Sequence, residues 1–472
     1  MKKLYILFII SILLFGHTLL FKSTESRYEV FVRSNSATLL HLIEKNYSKV
    51  TNYQKNSSGG AFFPTITNST YLIKDDLVAF SDRLVYLGNE EIFVYISSSR
   101  QTGIKVEYLD NIGTTVFEKE LILDKPKSNN YLEFNTQTGF DASYFSKIQI
   151  DRKQHSGWVQ ITISTAINKI YIPVFIETDK LKTKRSDLLW VESTDTLKAY
   201  RSENGLPNNY ESKNYSKTGV FTRPFGYPVS YKIQKLYNQK VSFGDCYDHL
   251  INADIVLKNT VRKMGYKFDT ASDEAIEDYN YIKNYKTLIF GSHNEYWSSK
   301  KLQSVAEYLD KGGKVLILGG NTAWRFKEKL NTFDVFYGVG YNDTEYFSFT
   351  EKYFGSHYDL RGYATHSGFS PTGNLSEFLG VPQLNKTFGG KTNILGCEEI
   401  KGASGHETDK LVATGKNFEI LARGNNPESG GAEVLYKKFQ GGGEILNFGS
   451  VALWHGMGDP KIRQILSKFL MK

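Results

Sequence analysis

Between Thr287 and Leu318 the chain runs from strand to polar turn to helix to glycine turn to strand, with almost no residues left over. Leu288-Ile289-Phe290 and Val315-Leu316-Ile317-Leu318 are short, unbroken apolar runs. That pattern belongs to strands buried on both faces, not to strands with one wet side. The segment from Ser298 to Leu309 has helical spacing, and Ser298 is placed as its N-cap. A strand–helix–strand unit of this kind joins parallel strands, so a mostly parallel sheet covered on both faces is expected. Leu188-Leu189-Trp190-Val191, Ile420-Leu421-Ala422 and Glu444-Ile445-Leu446-Asn447 supply further strands. A helix over about 248–264 precedes Gly265-Tyr266. Asp459-Pro460 opens a terminal helix to about Phe469, with Asp as N-cap and Pro in the first position. Residues 325–418 show little periodicity and many Tyr, Gly, Ser and Asn, which predicts an insertion or long loops at the carboxyl ends of the strands.

Upstream the period changes to two. Ile92, Val94 and Ile96 alternate, as do Ile104, Val106 and Tyr108, then Val159, Ile161 and Ile163, followed by the run Tyr171 to Ile176. Gly88-Asn89, Asp110 to Gly113 and Ser156-Gly157 punctuate them as turns. Residues 76–183 are therefore expected to form a β-sandwich. Nothing in that block carries chemistry, and a passive structural domain is the simplest reading. Thr183 to Ser186 is the join, which leaves 184–472 as the α/β domain. Residues 26–75 read as an irregular linker, with one possible short helix between Ser36 and Val50. At the start, Lys2-Lys3 precede an uncharged apolar stretch from Leu4 to Phe21. Residues 1–25 thus read as a signal peptide or an N-terminal membrane anchor. Both alternatives place the body on the non-cytoplasmic side of a membrane.

Composition excludes several classes. Charged residues are 23% of the 472, too many for a polytopic membrane protein, and 14% aromatics argue against long disordered tracts. A formal charge of +8 without an Arg/Lys stripe gives no footprint for nucleic acid. The two cysteines, Cys246 and Cys397, form neither a CxxC nor a zinc cluster; one disulfide and two buried thiols both remain open.

The turn Gly291-Ser292-His293-Asn294-Glu295-Tyr296-Trp297-Ser298 is where chemistry is expected. It follows a strand and precedes a helix, so its side chains stand on rigid supports at the crevice. His293, Glu295 and Tyr296 offer lone pairs for metal or acid–base work; the plainer alternative is a capped turn with Tyr296 and Trp297 packed beneath. Gly319-Gly320 permits positive φ and close approach of backbone to a ligand, without the spacing of a phosphate loop or dinucleotide fingerprint. His406-Glu407 with Asp409, and His357 with Asp359 and His366, lack metal-protease spacing and read as exposed loop polarity. His455 either faces the crevice or serves as a cap. No G-x-S-x-G is present to support a serine nucleophile, and Cys246 reads as a core thiol.

The stretch GSHNEYWS from Gly291, then a helix, then GGKVLILGGNTAWR ending at Arg325, resembles a block of the N,N-dimethylformamidase large (beta) subunit family, in its C-terminal domain. Thr196 to Tyr200, Gly265 to Asp269 followed by Asp273, and the pieces from Ala422 to Trp454 are similar to that family in the same order. The resemblance covers about 187–472. It implies a flavodoxin-like or glutamine-amidotransferase-like three-layer domain. It also implies hydrolysis of a small N-substituted amide at one iron ion held by two tyrosines and a glutamate. Such a hard ferric centre acts as a Lewis acid and activates water. Carried over, Tyr296 is one tyrosine ligand, Tyr247 the second and Glu377 the glutamate, with Glu398 and Glu399 as alternatives; His293 and Glu295 become proton-transfer residues. The chain departs from the family in its export or anchor segment and in Tyr200-Arg201-Ser202-Glu203-Asn204-Gly205, where the family is aromatic-Asn-Gly-rich. The resulting expectation is an exported or membrane-tethered metal-dependent hydrolase of a small polar substrate. The competing one is a catalytically inactive surface module that recognises a glycan or protein.

Overall fold

The computed structural model describes segments between residues 18 and 177, then 186–200 and 251–471 apart from 331–332, 337–343, 364, 391–401 and 416. Tyr247, Cys246, Cys397, the expected helix within 36–50 and most of the apolar run Leu4 to Phe21 lie outside the described residues. The last residues of that run belong to a strand, Thr18–Thr24, paired antiparallel with Arg27–Arg33. Among the described residues no helix is long and apolar enough to cross a membrane.

The period-two block forms strands as expected. Thr115–Leu123, Thr102–Leu109, Gly157–Ser164, Lys169–Glu177 and Val85–Leu87 lie in that order in one sheet, and Ser146–Ile150, Ile92–Ser98 and Leu77–Ser81 in another. Alternate residues from both sheets, among them Val94, Val106, Ile161 and Val174, meet in one core. Each such side chain contributes about 1.5–3 kcal/mol when fully buried.

The α/β part is built on an eight-stranded sheet. Its strands in chain order are β1 (Leu188–Glu192), β2 (Asp269–Ser272), β3 (Thr287–Phe290), β4 (Lys314–Ile317), β5 (Phe369–Pro371), β6 (Glu419–Gly424), β7 (Glu433–Lys438) and β8 (Glu444–Asn447). Their order across the sheet is β2-β1-β3-β4-β8-β7-β6-β5. Pairings from β2 through β8 are parallel, and the β7, β6 and β5 edge is antiparallel. Its helices include α1 (Thr194–Tyr200), α2 (Ile251–Lys263), α3 (Ser299–Asp310), α4 (Gly373–Leu379) and α5 (Pro460–Leu470).

The apolar strand runs send alternate residues to opposite faces. Trp190, Ile289 and Leu316 join a cluster with Leu257 of α2 and Ile465 of α5. Val191, Phe290 and Ile317 join another with Leu302 and Leu309 of α3. Both faces are covered, which is why these strands carry no polar alternation. The caps fall where expected: Ser298 Oγ accepts from Lys301 N at 3.1 Å, and Asp459 accepts from Lys461 N at 2.7 Å.

The stretch 325–418 is not simply loops; it contains the helix Thr344–Phe354, helix α4 and strand β5, which forms the outer edge of the main sheet. A strand of three residues is too short to show a period, and its partner β6 is far along the chain.

Buried carboxylates join the β part to the α/β part. Trp158 Nε1 donates to Glu192 Oε2 at 2.8 Å, Lys258 Nζ lies 2.5 Å from Glu192 Oε1, and Ser272 N donates to Glu177 Oε1 at 2.8 Å. Glu192 is wholly buried.

Candidate functional site

Two turns at the carboxyl ends of β3 and β4 are zipped together. Gly320 N donates to Ser292 O, Ala323 N to Asn294 O and Arg325 N to Glu295 O, the last two at 2.9 Å. Tyr296–Trp297 then pairs in parallel with Arg325–Phe326, so register sets Arg325 beside Tyr296. From the other side, Thr196 Oγ1 in α1 accepts from Glu295 N at 3.0 Å and Tyr296 N at 3.4 Å.

The paired glycines make this approach possible. A Cβ at Gly319 would overlap the carbonyl oxygens of Ser292 and Gly291, and one at Gly320 would lie 2.7 Å from Glu407 O. They therefore admit the chain's own backbone, and the ligand approach expected for them is not what they visibly serve. Asn321 and Ala323 follow, both at φ +54. Gly319→Ala is expected to destabilise by about 1–3 kcal/mol through overpacking against fixed backbone, read as a lowered urea midpoint with an unchanged slope.

Five charged side chains meet at these turns. His293 Nε2 lies 3.1 Å from Glu407 Oε2 and 3.5 Å from Glu295 Oε2. Asn321 Nδ2 donates to Glu407 Oε2 at 2.9 Å. Arg325 Nε sits directly on Glu295 Oε1, and its Nη1 is 3.4 Å from Tyr296 Oη. Asp409 Oδ1 accepts from Asn321 N at 2.6 Å. His293 and Glu295 are 0% exposed and Tyr296 3%. Beyond Glu407 lies a rim of imidazoles, with His366 stacked on His455 at 5.6 Å and 6.4 Å from His406.

Burial lowers the affinity of His293 for its proton, but Glu407 and Glu295 outweigh it and hold the imidazole above its ordinary pKa. Burial pushes the Tyr296 phenol up, against the pull of Arg325. His455 is driven down to about 3 by burial and its histidine neighbours. Asp409 is pushed up to about 7 by burial, although the N–H groups of Asn321 and Thr322 favour its charged form. With the folded pKa above the unfolded one, its contribution to stability is complete below about pH 4 and is lost as pH rises through about 7. Asp409→Asn is expected to flatten that slope by at most about 4 kcal/mol, measured as urea stability at pH 4.5 and pH 8.

The structure brings His293, Glu295 and Tyr296 into one cluster. Glu377 is exposed on α4, whose buried residues Leu375, Phe378 and Leu379 pack in the cluster that holds α5. The carboxylates that act on Tyr296 are Glu295 and Glu407. Tyr247, Glu398 and Glu399 lie outside the described residues. His406-Glu407-Asp409 is not exposed loop polarity: Glu407 and Asp409 are buried, at 7% and 1%. Their spacing of two, at the mouth of the strand Thr408–Leu411, puts both on one face, and that was the available signal. Asn321 and Arg325 carried none beyond their place after the glycines. His455 is buried against His366.

A Tyr/Tyr/Glu iron site does not assemble from the described residues. One tyrosine is present, and its hydroxyl meets a guanidinium. Among the described residues no group of three His, Cys, Asp or Glu is arranged to hold a metal ion.

The family described as N,N-dimethylformamidase beta subunit-like, C-terminal, matches residues 143–464. The chain belongs to this family. The N,N-dimethylformamidase beta subunit-like region thus begins inside the β part and takes in Trp158 and Glu177, the residues that dock it to the sheet. It spans every member of the His293 cluster. No curated protein matches the chain. Among solved structures, a putative ThuA-like protein from Bacteroides uniformis is 13% identical, with a TM-score of 0.31, 47% of this chain covered and 86% of that one. The N-terminal domain of mmIFT52 is 14% identical, with a TM-score of 0.29 and coverages of 46% and 89%.

Proposed function

We propose that this family member is a hydrolase that cleaves an amide or related C–N bond of a small polar substrate, with His293 as its proton-transfer residue. The observation that carries the reading is His293 Nε2 held between the Glu407 and Glu295 carboxylates at the carboxyl ends of parallel strands. Amide hydrolysis adds water across the C–N bond: the oxygen bonds to the carbonyl carbon, and the departing nitrogen takes a proton. An imidazole kept protonated by two carboxylates suits that second step, and general acid–base groups of this kind contribute about 10²–10⁴-fold. Arg325 and Asn321 bring N–H donors to the same cluster, where they could meet charge developing on a carbonyl oxygen. Among the described residues the Asn294 amide and the Thr322 hydroxyl are buried without hydrogen-bond partners. A small polar substrate would satisfy such groups, each of which costs about 1–3 kcal/mol when left unmade.

We further propose that the protein is exported or membrane-tethered; Lys2-Lys3 ahead of the apolar run Leu4 to Phe21 supports that reading. The activity is tested by incubating the purified full chain with a panel of N-alkyl formamides, acetamides and primary amides, and assaying released amine. Release that disappears in His293→Asn supports the reading. A folded protein that turns over none of them removes it and leaves ligand binding by a silent module.

A further inference from the structure

We infer that Arg325 supplies the fixed positive charge of this centre, standing between Tyr296 and Glu295 where a bridging metal ion would have to sit. The inference concerns the same pocket as the proposed hydrolase but does not require that reaction to be correct. Its basis is the juxtaposition of three side chains. Arg325 Nε is in contact with Glu295 Oε1, its Nη1 is 3.4 Å from Tyr296 Oη, and its guanidinium carbon is 5.8 Å from the centre of the Tyr296 ring. One planar group thus spans the phenol and the carboxylate. Arginine keeps its proton in proteins, so the charge is permanent. First-row ions hold oxygen ligands at about 2.0–2.2 Å. An ion reaching both Tyr296 Oη and Glu295 would have to displace the guanidinium or stand against it.

The local chain is built for this placement. Arg325 is paired in register with Tyr296, its own N–H donates to Glu295 O at 2.9 Å, and its side chain is only 12% exposed. The two positive-φ residues Asn321 and Ala323 steer the turn that delivers it. Such backbone persists where surrounding structure enforces it. The result is an internally neutralised carboxylate, Glu295, which leaves less negative charge to attract a di- or trivalent cation. In chemical terms the pocket favours a substrate whose developing negative charge can be met by a guanidinium.

The test uses the full-length protein, its Arg325→Met and Tyr296→Phe forms, and ferric and ferrous iron added in slight excess before desalting. Metal content and the visible spectrum are read, and cooperative thermal melting confirms that each form is folded. The expected result is a wild-type protein that retains no iron and shows no visible band, with Arg325→Met binding iron at least about tenfold more tightly. Near-equimolar iron on the wild type, with a visible band lost in Tyr296→Phe, overturns the inference. So does an Arg325→Met form that melts cooperatively yet binds iron no better than wild type. Amide turnover with tightly bound iron would sink this inference and keep the proposed hydrolase; iron-free protein without turnover would do the reverse.

Discussion

His293→Asn lowers the turnover number on whichever amide the wild type accepts by about 10²–10⁴-fold, the usual weight of a general acid–base residue. Asparagine keeps a polar group near the two carboxylates but cannot carry a proton between water and a leaving nitrogen. The loss is expected in kcat with little change in KM, because His293 acts on the transition state rather than on ground-state binding. Glu407→Gln should lose less. Glutamine keeps the oxygen that faces His293 Nε2 at 3.1 Å and removes only the charge that holds the imidazole above its ordinary pKa. Its pH–rate profile therefore shifts to lower pH on the limb that needs protonated His293. A His293→Asn protein with wild-type kcat would end the assignment of His293 as the proton carrier. Thermal melting of both variants separates lost chemistry from lost fold, since removing His293 also leaves Glu295 and Glu407 facing each other.

The second large effect lies away from the pocket. Lys258→Met destabilises the protein by about 3–5 kcal/mol, the cost of stranding a buried charge. Glu192 is 0% exposed; without Lys258 it keeps the Trp158 indole N–H at 2.8 Å but no cation from this pair. The loss is expected to be concentrated where the β part meets β1. Lys258→Met combined with Glu192→Gln recovers most of it, because the stranded charge goes while the Trp158 hydrogen bond survives. Urea unfolding of the single and double variants decides. A single variant within about 1 kcal/mol of wild type would show that the ion pair contributes little to the stability of the Glu192 site.

The parts of the fold that could be read from sequence were those with a strong period. Ile289, Phe290, Val315 and Ile317 declare strands buried on both faces because every position is apolar, and Ser298 and Asp459 mark helix starts because their oxygens accept the first free N–H groups. Strand β5 was not legible, since three residues have no period and its sheet position depends on a partner far along the chain. The site divides in the same way. His293, Glu295 and Tyr296 stand on one turn and are visible together. Glu407 and Asp409 are recruited from elsewhere; their spacing of two puts both on one face, but which face is buried depends on tertiary packing. Glu377 had a suitable separation in sequence, but its helix turns it to solvent. The meaning of Gly319-Gly320 was half legible: close approach was evident, but not that the approaching group is the carbonyl of Ser292.

The long excursion between β4 and β8 has a consequence for the order of events on heating. Asn321, beside the end of β4, holds Asp409 from 88 positions further along, and Glu407 reaches His293 from the same remote turn. Closing so long a loop is entropically costly, and the β7, β6 and β5 edge that carries it borders the sheet on one side only. Edges of this kind open before the centre does. The His293 cluster is therefore expected to be lost early on warming, with the carboxylate clamp letting go while the parallel strands still give a native far-ultraviolet signal. A thermal scan followed by ligand-site chemistry and one followed by circular dichroism would then part company, with inactivation leading and the collapse of the sheet behind.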